Sequence, residues 1–420
     1  MNTTLTATPS TWQQRIKSLG PGIMMATAAV GGSHLVASTK AGATYGWQLI
    51  GLILLVNLFK YPFFRAGVQY TLGTGKSLIQ GYAEMGKGYL WLYTGLNVIS
   101  GIVNTAALLL FSASLLGYFL PWTIPLTTLA AIVLAICLVI LLAGHFKALD
   151  KLSKVIMGVL VVTTVAAVVI ALNQGPVAPT DYVSPSPWQV SAIGFIVIMM
   201  GWMPAPIEIS SITSLWLKNQ QQEQQVTADS ALFDFNVGYI GTALLAVAFV
   251  ILGALVLHGN GAELKSSGIG FSHQLVGMYA QTIGEWSGNL IALVAFFCIF
   301  GSTITVIDGY SRALAESQLL ITNKALGQRK YHQVWMIAVS ACALAILLFF
   351  TSSLMDMLNF AMVLAFMTTP IFALINYLLV TRTELPTELK LSTNMKLLSW
   401  AGLIYLFSFL AVFIWWKWFM

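Results

Sequence analysis

Long apolar runs separated by short polar stretches make up this chain, and two of the runs are broken near their middles. Eleven runs are long enough to cross a bilayer as helices: 19–45, 47–72, 89–119, 125–144, 152–172, 189–217, 232–257, 287–321, 333–351, 355–380 and 396–418. A helical span needs ~20 predominantly apolar residues. Pro and Gly clusters mark connections, among them Pro121-Trp122-Thr123-Ile124-Pro125 and the stretch from Gln174 to Pro187. The first break is Val30-Gly31-Gly32-Ser33-His34 and the second is Trp202-Met203-Pro204-Ala205-Pro206. A break frees backbone N–H and C=O groups that lipid cannot satisfy. Paired breaks at matching places in two halves point to the substrate site of a transporter. The pattern therefore predicts an all-α integral membrane protein of 11 transmembrane helices, with five spans, five more that again begin with a broken helix, and one extra. Because five is odd, the second set enters from the opposite side and the repeats are inverted.

The expected segments are an amino-terminal stretch 1–18, a first repeat 19–172, a loop 173–188, a second repeat 189–380, a loop 381–395 and a last helix 396–420. Composition agrees with this class. The chain is 58% hydrophobic and 8% charged, whereas about a quarter of a soluble domain is charged. The net charge of +6 reports orientation rather than affinity for nucleic acid. One set of alternate loops carries Arg15, Lys17, Lys76, Lys87, Lys147, Lys151, Lys154, Lys218, Lys324, Arg329, Lys330, Arg382, Lys390 and Lys396. The other set carries Lys40, Lys265 and Lys417. The excess of cations on cytoplasmic loops then puts the amino terminus in the cytoplasm and the carboxyl terminus outside, in the plasma (cytoplasmic) membrane. The polar amino terminus lacks a signal-peptide cleavage pattern, so the first span is expected to be retained.

Motifs for other chemistry are missing. Cys137, Cys298 and Cys342 lie inside apolar runs without metal or disulfide spacing and read as packing residues. No phosphate-binding loop, nucleophile motif or metalloprotease pattern occurs, so an enzyme, a cofactor and ATP drive are not expected. The Gln-rich stretch Asn219 to Gln225 reads as a solvated loop.

Several short motifs resemble the NRAMP family. These are Leu19-Gly20-Pro21-Gly22, Lys40-Ala41-Gly42-Ala43-Thr44-Tyr45-Gly46, Leu72-Gly73-Thr74-Gly75-Lys76-Ser77-Leu78, Met203-Pro204 and Gly301-Ser302-Thr303-Ile304-Thr305. The resemblance covers almost the whole chain. It implies a LeuT-type fold with a 5+5 inverted repeat and, for typical members, proton-coupled uptake of manganese, iron and related divalent metals. The departures fall where the metal would sit. Typical members carry Asp-Pro-Gly-Asn at the first break, and this chain has Gly31-Gly32-Ser33-His34. The Met-Pro-His of the second break becomes Met203-Pro204-Ala205, and the following His-Ser becomes Ser210-Ser211. Acidic residues expected in the third span are replaced by Asn97 and Asn104, and the arginine of the ninth is gone.

Candidate substrate-binding residues are Gly31, Gly32, Ser33, His34, Met203, Pro204, Ala205 and Glu208. His34 beside a break can ligate a metal, donate to an anion or cap freed carbonyls. Ser33 is a ligand or an N-cap. Glu208 and Lys60 are intramembrane ionisable groups, functional by default, and Glu208 suits a ligand, a proton carrier or a partner for Lys60. Coupling or gating candidates are Glu208, Lys60, Asp234, Asp308 and Arg312, the last two spaced i,i+4 as a salt bridge or part of an ion route. Were the cargo a metal, His34, Met203 and Glu208 would hold it. Three functions follow: a transporter of a divalent metal, a transporter of a small anion such as bicarbonate or an organic carboxylate, or a membrane sensor that does not transport. The partners expected are the small ion, a coupling H+ or Na+, and the bilayer. Transport would proceed by rocking of spans one, two, six and seven against a scaffold.

Overall fold

The computed structural model describes Arg15 and residues 19–122, 124–144, 146–223, 226–260, 265, 268–322, 328–350 and 353–419. Lys17 and Lys324, and the side chains of Lys147, Lys151 and Lys154, lie outside the described residues. Among the described residues fifteen α-helices follow one another: α1 (Pro21–Ala29), α2 (Thr39–Tyr45), α3 (Ile50–Thr74), α4 (Leu78–Met85), α5 (Lys87–Tyr118), α6 (Leu126–Leu142), α7 (Phe146–Gln174), α8 (Ile193–Gly201), α9 (Ile209–Glu223), α10 (Ala228–Val256), α11 (Gly268–Ile283), α12 (Ser287–Thr322), α13 (Gln328–Phe350), α14 (Leu354–Arg382) and α15 (Thr393–Phe419). A π-helical segment, Ser33–Ser38, joins the first break to α2. Among the described residues, eight helices are long and apolar enough to cross a membrane by themselves.

Helix packing carries the symmetry of two repeats. The first broken helix, α1 and α2, lies along α10, the helix that follows the second break. Reciprocally, α9 of the second broken helix lies along α3, the helix that follows the first. The third helix of each repeat, α5 and α12, pack against each other in the most extensive helix pair among the described residues. Glycines set how closely α1 and α2 approach α10. A Cβ on Gly22 would come within 2.3 Å of the Asp234 carbonyl oxygen, and one on Gly238 within 2.2 Å of the Gly22 carbonyl oxygen. Gly42 and Gly253 repeat the arrangement higher up, against Val250 and Thr39 carbonyls.

Two helices were not anticipated. α4 begins with a reciprocal capping box between Ser77 and Gln80, a signal that was present in Ser77-Leu78-Ile79-Gln80. α11 fills the connection between α10 and α12, burying Phe271, Leu275, Val276, Met278 and Tyr279 against α5, α7 and α12. The Gln-rich stretch is corrected as well. α9 continues as helix to Glu223, because Gln and Glu are good helix formers, while residues 224 and 225 lie outside the described residues. The connections after α3, α9 and α14 meet at one end of the bundle, where Lys218 bonds Gln80 and Gln69 bonds the Leu389 carbonyl. Lys76, Lys218, Arg382 and Lys390 lie in or beside these connections and make this the basic end of the bundle.

Candidate functional site

At the first break α1 stops at Ala29 and Val30 turns extended, with φ −77° and ψ 93°. The carbonyls freed there do not remain bare. The Ser302 hydroxyl of α12 lies 2.8 Å from the Thr27 carbonyl oxygen and 3.1 Å from that of Val30, and the Cys298 thiol donates to Val30 at 3.4 Å. Gly32 is a glycine for a steric reason, since a Cβ there would fall 2.6 Å from the Trp202 ring of the second break. The two breaks therefore face each other.

At the second break α8 stops at Gly201, the chain passes through a cis Met203–Pro204 peptide, and α9 starts at Ile209. Lys60, fully buried in α3, donates to the Met200 carbonyl at 2.7 Å and the Gly201 carbonyl at 3.1 Å. A cation at a helix carboxyl end meets the negative pole of the helix dipole. Among the described residues Lys60 makes no ion pair with Glu208. Met203 is buried in an apolar cluster with Val56, Met199, Met200 and Phe366.

His34 points into α10. Its Nε2 bonds the Thr242 carbonyl at 2.9 Å, and its Nδ1 lies 2.7 Å from the Ser33 hydroxyl. A carbonyl only accepts, so Nε2 carries the proton. Both ring nitrogens are occupied. Ser33 also reaches the Ala29 carbonyl at 3.1 Å.

Between the breaks lies a cavity of about 20 Å³, large enough for about one water-sized particle. Gly31 and Gly32 line it from one break and Trp202, Ala205 and Pro206 from the other. Asn104 and Leu108 of α5 and Val306 and Tyr310 of α12 close the remaining sides. Glu208 stands behind Tyr310, whose hydroxyl donates to Glu208 Oε1 at 3.1 Å and accepts from the Asn104 amide at 2.9 Å. Trp202 Nε1 and Asn104 Oδ1, on residues that line the cavity, and both side-chain polar atoms of Asn97 further along α5 are buried without a hydrogen-bond partner among the described residues, while the Ser100 hydroxyl faces the Glu208 carboxyl. Such orphans mark places where water or a ligand binds. Asn97, Ser100 and Asn104 are spaced i, i+3, i+7 on one face of α5, two turns long.

The other candidates lie elsewhere. Asp234 sits at the foot of α1, where its carboxylate accepts from Gly22 N at 2.6 Å, Gly20 N at 3.0 Å and Ile23 N at 3.3 Å. Gly20 offers no side-chain cap, so α10 supplies the cap that α1 lacks. Asp308, buried in α12, receives Arg312 Nε at 2.6 Å, and His332 Nε2 of α13 lies 3.3 Å from its other oxygen. The structure thus brings Gly31, Gly32 and Ala205 together at the cavity, with Glu208 behind them. It places Ser33, His34, Met203, Pro204, Lys60, Asp234, Asp308 and Arg312 off its wall. No group of three His, Cys, Asp or Glu side chains that could hold a metal occurs among the described residues. Sequence reasoning did not assign Trp202, Tyr310 or Ser302 to the site. Ser302 lay within the recognised Gly301–Thr305 motif, whereas nothing in the sequence singled out Tyr310.

Residues 22–416 match the model of the family described as natural resistance-associated macrophage protein-like. The chain belongs to the Nramp family. An uncharacterised protein of Pasteurella multocida (strain Pm70) is 50% identical over 408 residues, covering 96% of this chain and 93% of that one. Among solved structures, the Eremococcus coleocola manganese transporter in complex with an aromatic bis-isothiourea substituted compound is similar, with a TM-score of 0.70 at 13% identity over 96% of this chain and 87% of that one. MhsT in complex with L-phenylalanine gives 0.66 at 13% identity, over 94% and 98%. At such identities the likeness establishes the fold, which is the LeuT-type all-helical fold of membrane transporters.

Proposed function

We propose that this Nramp protein is a secondary-active transporter with eleven spans that moves a small anion by alternating access, with Glu208 carrying the coupling proton. One observation carries the choice of cargo. In broken-helix transporters the carboxyl ends of half-helices and the unwound carbonyls coordinate cations. Here the carbonyls of Thr27 and Val30 at the first break are bonded by Ser302 and Cys298, and those of Met200 and Gly201 at the second by Lys60. The ammonium of Lys60 is itself a tethered cation at the place a free one would take. Hard divalent cations stripped of water take several oxygens and softer ones accept imidazole or thioether, but the cavity keeps one carboxyl behind Tyr310, both His34 nitrogens are bonded and Met203 packs in an apolar cluster. The unpartnered Trp202 N–H beside it is a donor suited to an anion. Asn97, Ser100 and Asn104 supply a neutral polar face along which protons can pass through water. With the amino terminus cytoplasmic, the basic end faces the cytoplasm, and the helices around the two breaks rock against α5, α6, α12 and α13.

A divalent-metal cargo is the second reading, favoured by the family itself and by likeness to a manganese transporter. Purified protein in liposomes, assayed in parallel for bicarbonate and manganese uptake under an inward proton gradient, separates the two. Saturable, gradient-dependent bicarbonate flux supports the anion; saturable manganese flux without bicarbonate flux rejects it.

A further inference from the structure

At the basic end, away from the cavity between the breaks, a second and larger cavity of about 440 Å³ opens between α6, α9, α12 and α13. That volume is within the range of small-molecule sites, ~300–1,000 Å³. Lys218 of α9, Arg312 of α12, and Arg329 and His332 of α13 line it, with the amides of Asn219 and Gln333. The cations are held in place from behind. Asp308 fixes Arg312 through Nε and faces His332, and Glu316 lies 3.6 Å from the Lys218 ammonium, which also bonds Gln80. Asp308 is 1% exposed and the Arg312 side chain 36%, so the carboxylate is enclosed while part of the guanidinium faces the cavity. Arg329, in the first turn of α13, is exposed and forms no ion pair among the described residues. Three basic side chains from three helices thus outnumber the two carboxylates behind them.

We infer that this cavity is a binding site for a phosphate-bearing anion. Guanidinium groups match phosphate oxygens with paired N–H donors, and the first turn of α13 adds the positive pole of its dipole. Two sources share that chemistry. Exposed Leu142 on the cavity lining, and exposed Val139 one turn earlier on α6, would let the acyl chains of an anionic phospholipid lie against the bundle, whereas a soluble phosphate compound would enter from the aqueous side.

The test uses the full-length protein in a neutral maltoside detergent. Inorganic phosphate is titrated in an equilibrium-binding assay, and native mass spectrometry counts phosphatidylglycerol retained against phosphatidylcholine. R329E is the principal variant, chosen because Arg329 is exposed and outside the transport site; K218Q is the second. Loss of one charge-assisted contact predicts about tenfold or more weaker binding in each. Selective phosphatidylglycerol retention that R329E removes and phosphate competes away assigns the site to a lipid headgroup. Saturable phosphate binding weakened by R329E, without selective lipid retention, assigns it to a soluble ligand. No saturable binding of either probe, or binding unchanged in both variants, overturns the site.

Discussion

Replacing Asp234 with alanine should release the foot of α1 while leaving the rest of the bundle folded. The carboxylate accepts three backbone N–H groups at 2.6, 3.0 and 3.3 Å and is 3% exposed. Hydrogen bonds to a charged acceptor contribute about 1.5–3 kcal/mol each, and removing a helix cap costs about 0.5–2 kcal/mol. The three bonds share one group and the longest is weak, so their sum overstates the effect; about 3 kcal/mol is a reasonable total. At about 1.4 kcal/mol per factor of ten, α1 would open on the order of a hundred times more often. Asparagine retains an acceptor oxygen but not the charge, and should lose about 1 kcal/mol, roughly fivefold. Hydrogen–deuterium exchange of a peptide covering residues 19–30 reads this directly. A peptide from α14 serves as the control for global unfolding. Exchange in residues 19–30 that is the same in D234A as in the parent would refute the assignment of Asp234 as the cap of α1. Parallel acceleration in α14 would show a general loss of stability instead.

Glu208→Gln is expected to abolish gradient-driven uptake in proteoliposomes, and gradient-dependent uptake at the parent's rate would remove Glu208 from coupling. Lys60→Met should lower stability by about 3 kcal/mol, because two buried carbonyls lose a charged donor; an unchanged unfolding midpoint in a detergent titration counts against that role. Gly42→Ala places a methyl group 2.1 Å from the Val250 carbonyl oxygen, so little folded protein should elute at the parent's position in size-exclusion chromatography, and a normal profile would show that α2 and α10 can separate without loss.

What was legible in the sequence follows from the solvent. Lipid forces long apolar helices and makes each interruption conspicuous, so Gly31-Gly32 and Pro204-Ala205-Pro206 announced the breaks that the structure places face to face. Side-chain direction was not legible. His34 and Met203 flank the breaks in sequence, yet one turns to the Thr242 carbonyl and the other into an apolar cluster. Lys60 and Glu208 read as natural partners because both are charged and buried. Only tertiary placement reveals that Lys60 meets the carbonyls of Met200 and Gly201, which no sequence pattern marks as acceptors. Tyr310 escaped notice for a related reason, since a tyrosine in an aromatic-rich membrane chain carries no signal until its hydroxyl is seen between Asn104 and Glu208.

The run of attachments between the first broken helix and α10 changes what the break means mechanically. Asp234 and Gly238 hold α1, the Thr242 carbonyl holds His34 in the π-helical segment, and Gly253, with His258 just beyond the end of α10, holds α2. α10 therefore acts as a splint across a fracture. An interrupted helix would by itself be a free joint, but one bound along its length to a continuous rod bends only where a fastening lets go. At the foot the Asp234 carboxylate and the Arg15–Asp229 ion pair add polar fastenings to the close Gly22–Gly238 backbone contact, whereas Gly42 and Gly253 seat α2 backbone against backbone. Polar fastenings are concentrated at the foot, so the hold on α1 depends on charge there, while the hold on α2 depends on close backbone packing.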